Sequence, residues 1–476
     1  MRKHRLVGFL PGILLLFSAC APVGPHYRRP EAPLPPAYKG ETPPGSDWKT
    51  ASPSDELPKG RWWEIFNDRQ LNELEGQIDV SNENLKAATA QLDQARAALR
   101  ANRAGFMPVV SGGGTISETR QSDNRPIGHA NYTDYSLPFT FSYEADVFGR
   151  VRHSIEQSRV LVQADAADLE TLRLSLHGEL ALDYLQLRGL DTEKRLLDST
   201  VQAYDKALEL TQNRFDGGLA SQADVAQART QVEATRAQAL DVTVQRAALE
   251  QAVGTLVGKP ATEFTIAPLP FDAEPPSVPA GVPSDLLERR PDIAAAERRI
   301  AAANEQIGLA RTAFFPTFAL TAPFGMESGS LLSWLAGPSA FAAIGPSTVL
   351  TLFDSGRRHA ISQQSQAAYE QASANYQQTV LQAFQDVETN LAALRVLEQE
   401  AEIQDGAVRS AEQSLDLAMN RYKGGLTNYL SVITAQSIAL SNQRTAIQIL
   451  SRRMTASVLL VKALGGGWKA SSLPAN

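Results

Sequence analysis

The sequence predicts an α+β fold of two similar halves, in which very long helices lead into short, membrane-type β-strands. Three observations predict it. The heptapeptide NRFDGGL (Asn213 to Leu219) returns as NRYKGGL (Asn420 to Leu426), an offset of 207 residues. Each copy is preceded by a proline-free run with an apolar stripe at steps of three, four and seven, the signature of one helix face. Before each long run the period changes to two, the signature of a strand.

The repeat extends well beyond the heptapeptide. NLKAATAQLDQARAALRANRAGFMP (Asn84 to Pro108) aligns without a gap with DIAAAERRIAAANEQIGLARTAFFP (Asp292 to Pro316). VFGRVRH (Val147 to His153) aligns with LFDSGRRH (Leu352 to His359), one residue longer. The order is conserved between the halves and the period is far too long for a solenoid. The chain therefore divides into a first repeat over 61–259 and a second over 284–468.

The long helices follow from their composition. Between Val151 and Asn213 there is no proline, and the residues are mostly good helix formers. Such a helix would run roughly 95 Å, longer than an ordinary globular domain accommodates. Leu176, Leu180, Tyr184, Leu187 and Leu197 lie on its apolar stripe, which returns at Tyr376, Ala383, Val387, Leu391 and Leu397. A second proline-free helix follows each Gly-Gly, over Ser221 to Val257 and Asn428 to Leu464. Gly217 and Gly218, then Gly424 and Gly425, supply the left-handed backbone that ends one helix and starts the turn. Each heptapeptide is thus the tip of a long antiparallel hairpin.

The strands come in pairs, near 108–120 and 136–148, then near 316–324 and 346–354. In SLPFTFSYEAD (Ser136 to Asp146), Leu137, Phe139, Phe141 and Tyr143 alternate with polar or turn residues. An aromatic face suits lipid and a polar face a water-filled lumen. The loop QSDNRPIGHANYT joins the first pair, and the more apolar Gly325 to Gly345 joins the second. Four strands cannot close a barrel. An open edge in hydrocarbon leaves unpaired backbone groups at several kcal/mol each. Two chains would give eight strands and three would give twelve, and the pattern fits either number. A soluble β-domain and a coiled-coil rod are the simpler alternatives for the two kinds of segment.

The chain of 476 residues is 43 % hydrophobic and 20 % charged, with a net charge of −7. This suits a folded core and argues against nucleic acid as a partner. The N-terminus MRKHR is basic, Leu6 to Phe17 is apolar, and Ser18 and Ala19 precede the single cysteine, Cys20. That order reads as a signal peptide over 1–19. The apolar run is shorter than the roughly 20 residues of a spanning helix. FSAC resembles a bacterial lipobox, which implies lipidation, palmitate included, on Cys20. Proline-rich residues 20–60 form an extended tether, 260–283 a linker and 469–476 a short tail. The six histidines show no metal-ligand spacing, and no nucleophile-elbow, zincin or paired-cysteine motif occurs. GTLVGKP (Gly254 to Pro260) is one residue short of a phosphate loop and has Pro260 where a hydroxyl is needed. The expectation is no enzyme, no cofactor and no metal.

The chain resembles the TolC-like outer-membrane channels of tripartite efflux pumps, in the lipoprotein branch that includes OprM and NodT. The residues that carry the likeness are VGPHYRRP after Cys20, WWEIFND (Trp62 to Asp68), YEADVFGRVR (Tyr143 to Arg152) and ERRPDIAAAERR (Glu288 to Arg299). FFP (Phe314 to Pro316), LFDSGRRH, NRYKGGLTNYLSV and ALGGGW (Ala463 to Trp468) complete the set. The resemblance implies an α+β membrane channel: a long α-helical barrel continued by a transmembrane β-barrel, four strands per chain, closed by trimerisation. It implies a homotrimer anchored in the bacterial outer membrane and reaching into the periplasm. It also implies a periplasmic adaptor, an inner-membrane transporter of the RND type, and passive conduction of drugs or other small molecules. The proline-rich and terminal pieces would pack round the middle as a belt. A type I protein-secretion channel and, more distantly, a periplasmic coiled-coil scaffold are the alternatives.

The resemblance also implies a periplasmic aperture at the tips. Asp224 and Tyr422 match two members of a polar link that holds such tips shut. Thr427 stands where a second link has arginine, and Ser431 and Thr434 stand where acidic rings occur. Closure is then expected to rest on Tyr422 with Asp224, on Asp216 and Lys423, and on packing by Leu426, Tyr429 and Leu430. For Leu430, simple packing within the helical turn is the plainer expectation.

Overall fold

The computed structural model describes residues 23–30, 61–122, 124, 131–271, 274–276 and 289–467. The signal segment 1–19, Cys20, most of the tether, residues 277–288 of the proline-rich stretch and the tail 469–476 lie outside the described residues.

Two helices of 67 residues dominate the chain, α3 (Arg150–Asp216) and α6 (Arg357–Lys423). Each turns at a Gly-Gly into a helix of 35 residues, α4 (Gln222–Leu256) and α7 (Tyr429–Ala463). The paired lengths are equal, so the two hairpins are the same device built twice. At 1.5 Å per residue the long helices run about 100 Å. Among the described residues there are also the shorter helices α1 (Arg69–Ser81), α2 (Glu83–Arg103) and α5 (Pro291–Thr312). Among the described residues no helix is long and apolar enough to cross a membrane.

The middle of α3 is where the extra pieces attach. Trp62, Trp63, Phe66, Leu71 and Ile78 share one buried cluster with Leu176, Leu180, Tyr184 and Leu187. Trp63 stacks on His177 at 4.4 Å, and His177 Nδ1 lies 2.6 Å from Glu75 Oε2. Asp68 caps α1 by accepting from the Gln70 and Leu71 amides, and also accepts from Tyr184 Oη at 2.6 Å. The buried Arg188 donates to Asp191 at 3.0 Å, and Asp191 also accepts from Arg246 and from the Leu269 amide. A buried guanidinium is tolerated only with such partners. These bonds hold 61–81 and 264–271 round the waist of the helices.

Among the described residues six strand segments form one antiparallel sheet. They are β1 (Val109–Gly112), β2 (Thr115–Arg120), β3 (Asn131–Ala145), β4 (Thr317–Ser328), β5 (Ala340–Ala342) and β6 (Gly345–Val349). β1 and β2 both pair with β3, β3 with β4, and β5 and β6 both with β4. The register puts Tyr135, Leu137, Phe139, Phe141 and Tyr143 opposite Ser328, Met326, Phe324, Ala322 and Leu320. Directly paired residues share a face, so one aromatic face spans both central strands, with Phe139 stacked on Phe324 at 5.6 Å. Ser136, Thr140, Ser142 and Glu144 share the other face with Glu327, Pro323, Thr321 and Ala319.

Strand limits differ from the sequence expectation, and β5 forms within the stretch Gly325 to Gly345 expected as a loop. The run 108–120 is split at Gly113 and Gly114, which lie outside both ladders. β3 begins at Asn131 rather than near 136, because β2 pairs with it from Thr115↔Ser136 to Arg120↔Asn131. β4 continues past Phe324 to Ser328 for the same reason, having β3 beside it to Tyr135. The run 350–354, expected as strand, has no regular structure. β4 starts at Thr317, opposite Val349, and offers no partner beyond it.

The described residues 23–30 run along the helices just below this sheet. The Val23 amide donates to Phe148 O at 3.2 Å, at the junction of β3 and α3. Asn304 Nδ2 donates to Pro25 O at 3.0 Å, and Tyr27 Oη to Glu297 Oε1 at 2.5 Å.

Candidate functional site at the paired hairpin tips

Both tips close with the same backbone. In the first, the Leu219 amide bonds Arg214 O at 2.7 Å and the Gly218 amide bonds Phe215 O at 2.8 Å. In the second, Leu426 bonds Arg421 O at 2.9 Å and Gly425 bonds Tyr422 O at 2.9 Å. This is the Schellman pairing, in which a left-handed residue satisfies the last helical carbonyls. Only the second glycine of each pair is left-handed, Gly218 at φ 74° and Gly425 at φ 76°. Gly217 and Gly424 sit at φ −84° and −76°, which any residue adopts.

The side chains are not repeated. Tyr422, in the second tip, is 3 % exposed, whereas its counterpart Phe215 is 37 % exposed. Tyr422 packs on Tyr429 with ring centroids 5.2 Å apart. Its hydroxyl lies 3.4 Å from Thr211 Oγ1, on α3 of the other hairpin. Arg214 reaches across from the first tip, its guanidinium 4.8 Å above the Tyr422 ring and donating to Lys423 O at 3.1 Å. Tyr429 is 1 % exposed, and burial, followed by the nearby Tyr422, pushes its phenol up to about 12. Ala228 and Val432 join this cluster. The second tip is thus wedged against the first hairpin, and farther up the seam Tyr204 Oη donates to Gln436 O at 3.1 Å.

The expected link between Tyr422 and Asp224 is not formed within the chain. Asp224 is committed to its own helix: Oδ2 accepts from the Ser221 amide at 2.9 Å and hydroxyl at 2.8 Å, while Ser221 Oγ accepts from the Asp224 amide. This is a capping box. Tyr422 and Asp224 nevertheless line one cavity of about 400 Å³, with Arg214, Thr427, Asn428 and Tyr429. Thr427 and Ser431 belong to the second cap. Thr427 Oγ1 donates to Ser431 Oγ at 3.0 Å, and Ser431 donates to the N-cap Asn428. Thr434 is exposed and donates to Leu430 O. Asp216 is exposed and accepts from Gln212 at 2.9 Å, and the Lys423 side chain is exposed.

Packing by Leu426 and Leu430 is also not found within the chain, since they are 74 % and 55 % exposed. Leu219 matches Leu426 at 73 %. Arg214 and Thr211 are the two residues that reasoning from the sequence missed. The signal for Arg214 was its place in NRFDGGL, but Arg421 stands in the same place in the other copy. Among the described residues no group of three or more His, Cys, Asp or Glu is placed to hold a metal ion.

Comparison with known proteins fits this doubled architecture. The model of the outer membrane efflux protein family matches twice, over residues 75–259 and 282–466. The two matches carry the same 207-residue offset as the tips. The chain is 33 % identical over 457 residues to the toluene efflux pump outer membrane protein TtgC of Pseudomonas putida, covering 95 % of this chain and 94 % of that one. It is 30 % identical to the pyoverdine export outer membrane protein OpmQ of Pseudomonas aeruginosa, over 96 % and 97 % of the two chains. Among solved structures, the outer-membrane channel OprN superposes with a TM-score of 0.85 at 29 % identity, over 94 % of this chain and 99 % of that one. The open state of the MtrE outer membrane channel of Neisseria gonorrhoeae superposes at 0.81 with 25 % identity, over 94 % and 99 %.

Proposed function

The chain belongs to the outer membrane efflux protein family and is an outer-membrane exit duct for efflux, and from that premise we propose that three copies close one continuous tube. The observation that carries this reading is the sheet. In one chain β1 and β2 form one edge and β5 and β6 the other, with no partner outside either among the described residues. An edge in hydrocarbon leaves backbone groups unpaired at several kcal/mol each. Joining edge to edge removes the cost and makes a barrel with the aromatic face toward lipid. The choice of three copies rather than two rests on the resemblance to TolC-like channels. Twelve ribbons of strand, four per chain, would then continue into twelve helices.

The work of the duct is passive. A periplasmic adaptor would dock on the hairpins, and an inner-membrane transporter of the RND type would load drugs or other small molecules. Relatives are named for toluene and for pyoverdine. Such different cargoes suit a conduit that leaves selection to the transporter. The tips would form its periplasmic aperture. The wedge of Tyr422 and Tyr429 under Arg214 would hold the second hairpin on the first at rest, with Asp216, Asp224, Lys423, Thr427, Ser431 and Thr434 around the mouth. The left-handed Gly218 and Gly425 would set each turn.

The anchor is proposed on Cys20. Val23 is bonded at the sheet–helix junction, and the three Cα–Cα steps from it back to Cys20 reach about 10 Å at most. A lipid on Cys20 would therefore enter the membrane beside the barrel.

The test is migration of the outer-membrane protein on denaturing gels with and without heating. A trimer band that collapses to the monomer on boiling is the expected result. A monomer in the unheated sample, recovered from the soluble fraction, would overturn the closure.

A further inference from the structure

The loop between β4 and β5 is built unlike any other described connection. From Ser328 to Phe353 there is no Asp, Glu, Lys or Arg. Within it Leu331, Leu332 and Leu335 are 62 %, 100 % and 69 % exposed. The loop is nonetheless ordered by its own polar groups. Ser328 Oγ and Ser333 Oγ lie 2.8 Å apart, Ser339 Oγ donates to Ser333 O at 2.6 Å, and the Ala336 amide bonds Ser333 O at 3.0 Å. Its backbone is thus partly satisfied internally, as a segment leaving water requires.

The position of the loop follows from one contact. Trp334 packs on Tyr135 with ring centroids 5.9 Å apart. Tyr135 is on the aromatic face of the sheet, at the end of β3 farthest from the helices, in register with Ser328. The loop is therefore folded back over the aromatic face at its outer rim. Tyr135 lies on an interior strand, between β2 and β4. A second copy paired at either edge of the sheet would not cover it. Continuity with the aromatic face favours a hydrocarbon neighbour over a soluble partner. A tryptophan and a tyrosine together at the rim match the aromatic girdle of a membrane interface.

We propose that residues 329–339 form a lipid anchor, with Leu331, Leu332 and Leu335 set among the acyl chains of the outer leaflet. The inference rests on the membrane placement of the sheet, and goes beyond it by assigning this loop to lipid rather than to water. The anchor belongs to the second half alone. The corresponding loop of the first half carries Asp123, Arg125 and His129. It would fix the depth and tilt of the barrel independently of the lipid on Cys20.

The test uses the full chain reconstituted in phosphatidylcholine vesicles, in a Trp334→Phe background that keeps the ring contact. Leu332→Trp adds a reporter in the loop, and Phe139→Trp adds one on the aromatic face of the sheet. The added fluorescence is measured with acyl-brominated lipid and, separately, with iodide on both sides of the membrane. Brominated lipid should roughly halve the signal of both reporters, and iodide should leave both nearly unchanged. Quenching of the Leu332→Trp reporter by iodide, or by neither agent, with Phe139→Trp still quenched by lipid, would overturn the anchor and leave the barrel standing. Failure of brominated lipid to quench Phe139→Trp would overturn the membrane placement of the sheet and the anchor with it.

Discussion

The two hairpin tips share a backbone and differ in what they touch. Arg214–Phe215–Asp216–Gly217–Gly218 and Arg421–Tyr422–Lys423–Gly424–Gly425 make the same Schellman turn with bond lengths matched to within about 0.2 Å. Phe215 looks outward, while Tyr422 is wedged against Thr211, Tyr429 and Arg214. Duplication therefore kept the turn and let the contacts diverge. The first hairpin carries a capping box and an outward arginine that reaches over its neighbour. The second carries a weaker cap and two buried tyrosines. The proposed opening at the tips would need one face of each hairpin to hold and another to release. The diverged contacts join the two hairpins of one chain, with Phe215, Leu219, Leu426 and Leu430 left exposed.

The largest test of that difference is truncation. Tyr422→Ala should cost about 3–4 kcal/mol of local stability, the range for a buried aromatic, while Phe215→Ala should cost about 1 kcal/mol or less. Hydrogen exchange of the tip amides measures both, and equal costs would erase the asymmetry. Next come the glycines, where the tips should behave alike. Gly218→Ala and Gly425→Ala should each cost about 1–2 kcal/mol, since both positions are left-handed. Gly217→Ala and Gly424→Ala should be neutral within about 0.5 kcal/mol, because no heavy atom comes nearer than 3.4 Å to an added Cβ. Unequal behaviour of Gly217 and Gly218 on thermal unfolding is the expected reading.

A smaller contrast lies in the caps. Asp224→Ala removes half of a capping box and should cost about 1 kcal/mol. Ser431→Ala at the matching position should cost a few tenths of that, roughly 0.3 kcal/mol, because Asn428 still caps the helix. Exchange at the first turns of α4 and α7 would separate them. The smallest effect belongs to Tyr422→Phe. A 3.4 Å hydroxyl contact is long for an O–H···O bond, so the loss should stay within about 0.5 kcal/mol. A loss as large as that of Tyr422→Ala would mean that the hydroxyl, and not the ring, holds the tip.

Much of the architecture was legible because it is periodic. The stripe from Leu176 to Leu197, the alternation from Leu137 to Tyr143 and the returning heptapeptide each reflect a geometric period imposed by one kind of backbone. Strand ends were not legible. Polar Thr133 and Asp134 enter β3 only because β2 supplies partners, and Leu350 to Phe353 stay out because β4 supplies none. At the tips, the turn was legible from its glycines. The partner of Tyr422 was not, because it is set by which helix lies alongside. Asp224 stands three residues after Ser221, a spacing that already reads as a capping box, and that local bond outranked the longer link the resemblance implied. The exposed loop leucines were visible as an apolar run, but the face they lie over required the contact of Trp334 with Tyr135.

The measurement that bears most directly on the channel and its asymmetric mouth is single-channel conductance in planar bilayers. Tyr422→Ala should open the resting channel markedly relative to the wild type, while Phe215→Ala should leave it closed as before. Equal conductance in all three would contradict a mouth held shut by the second tip, and absence of any channel activity would contradict the duct itself.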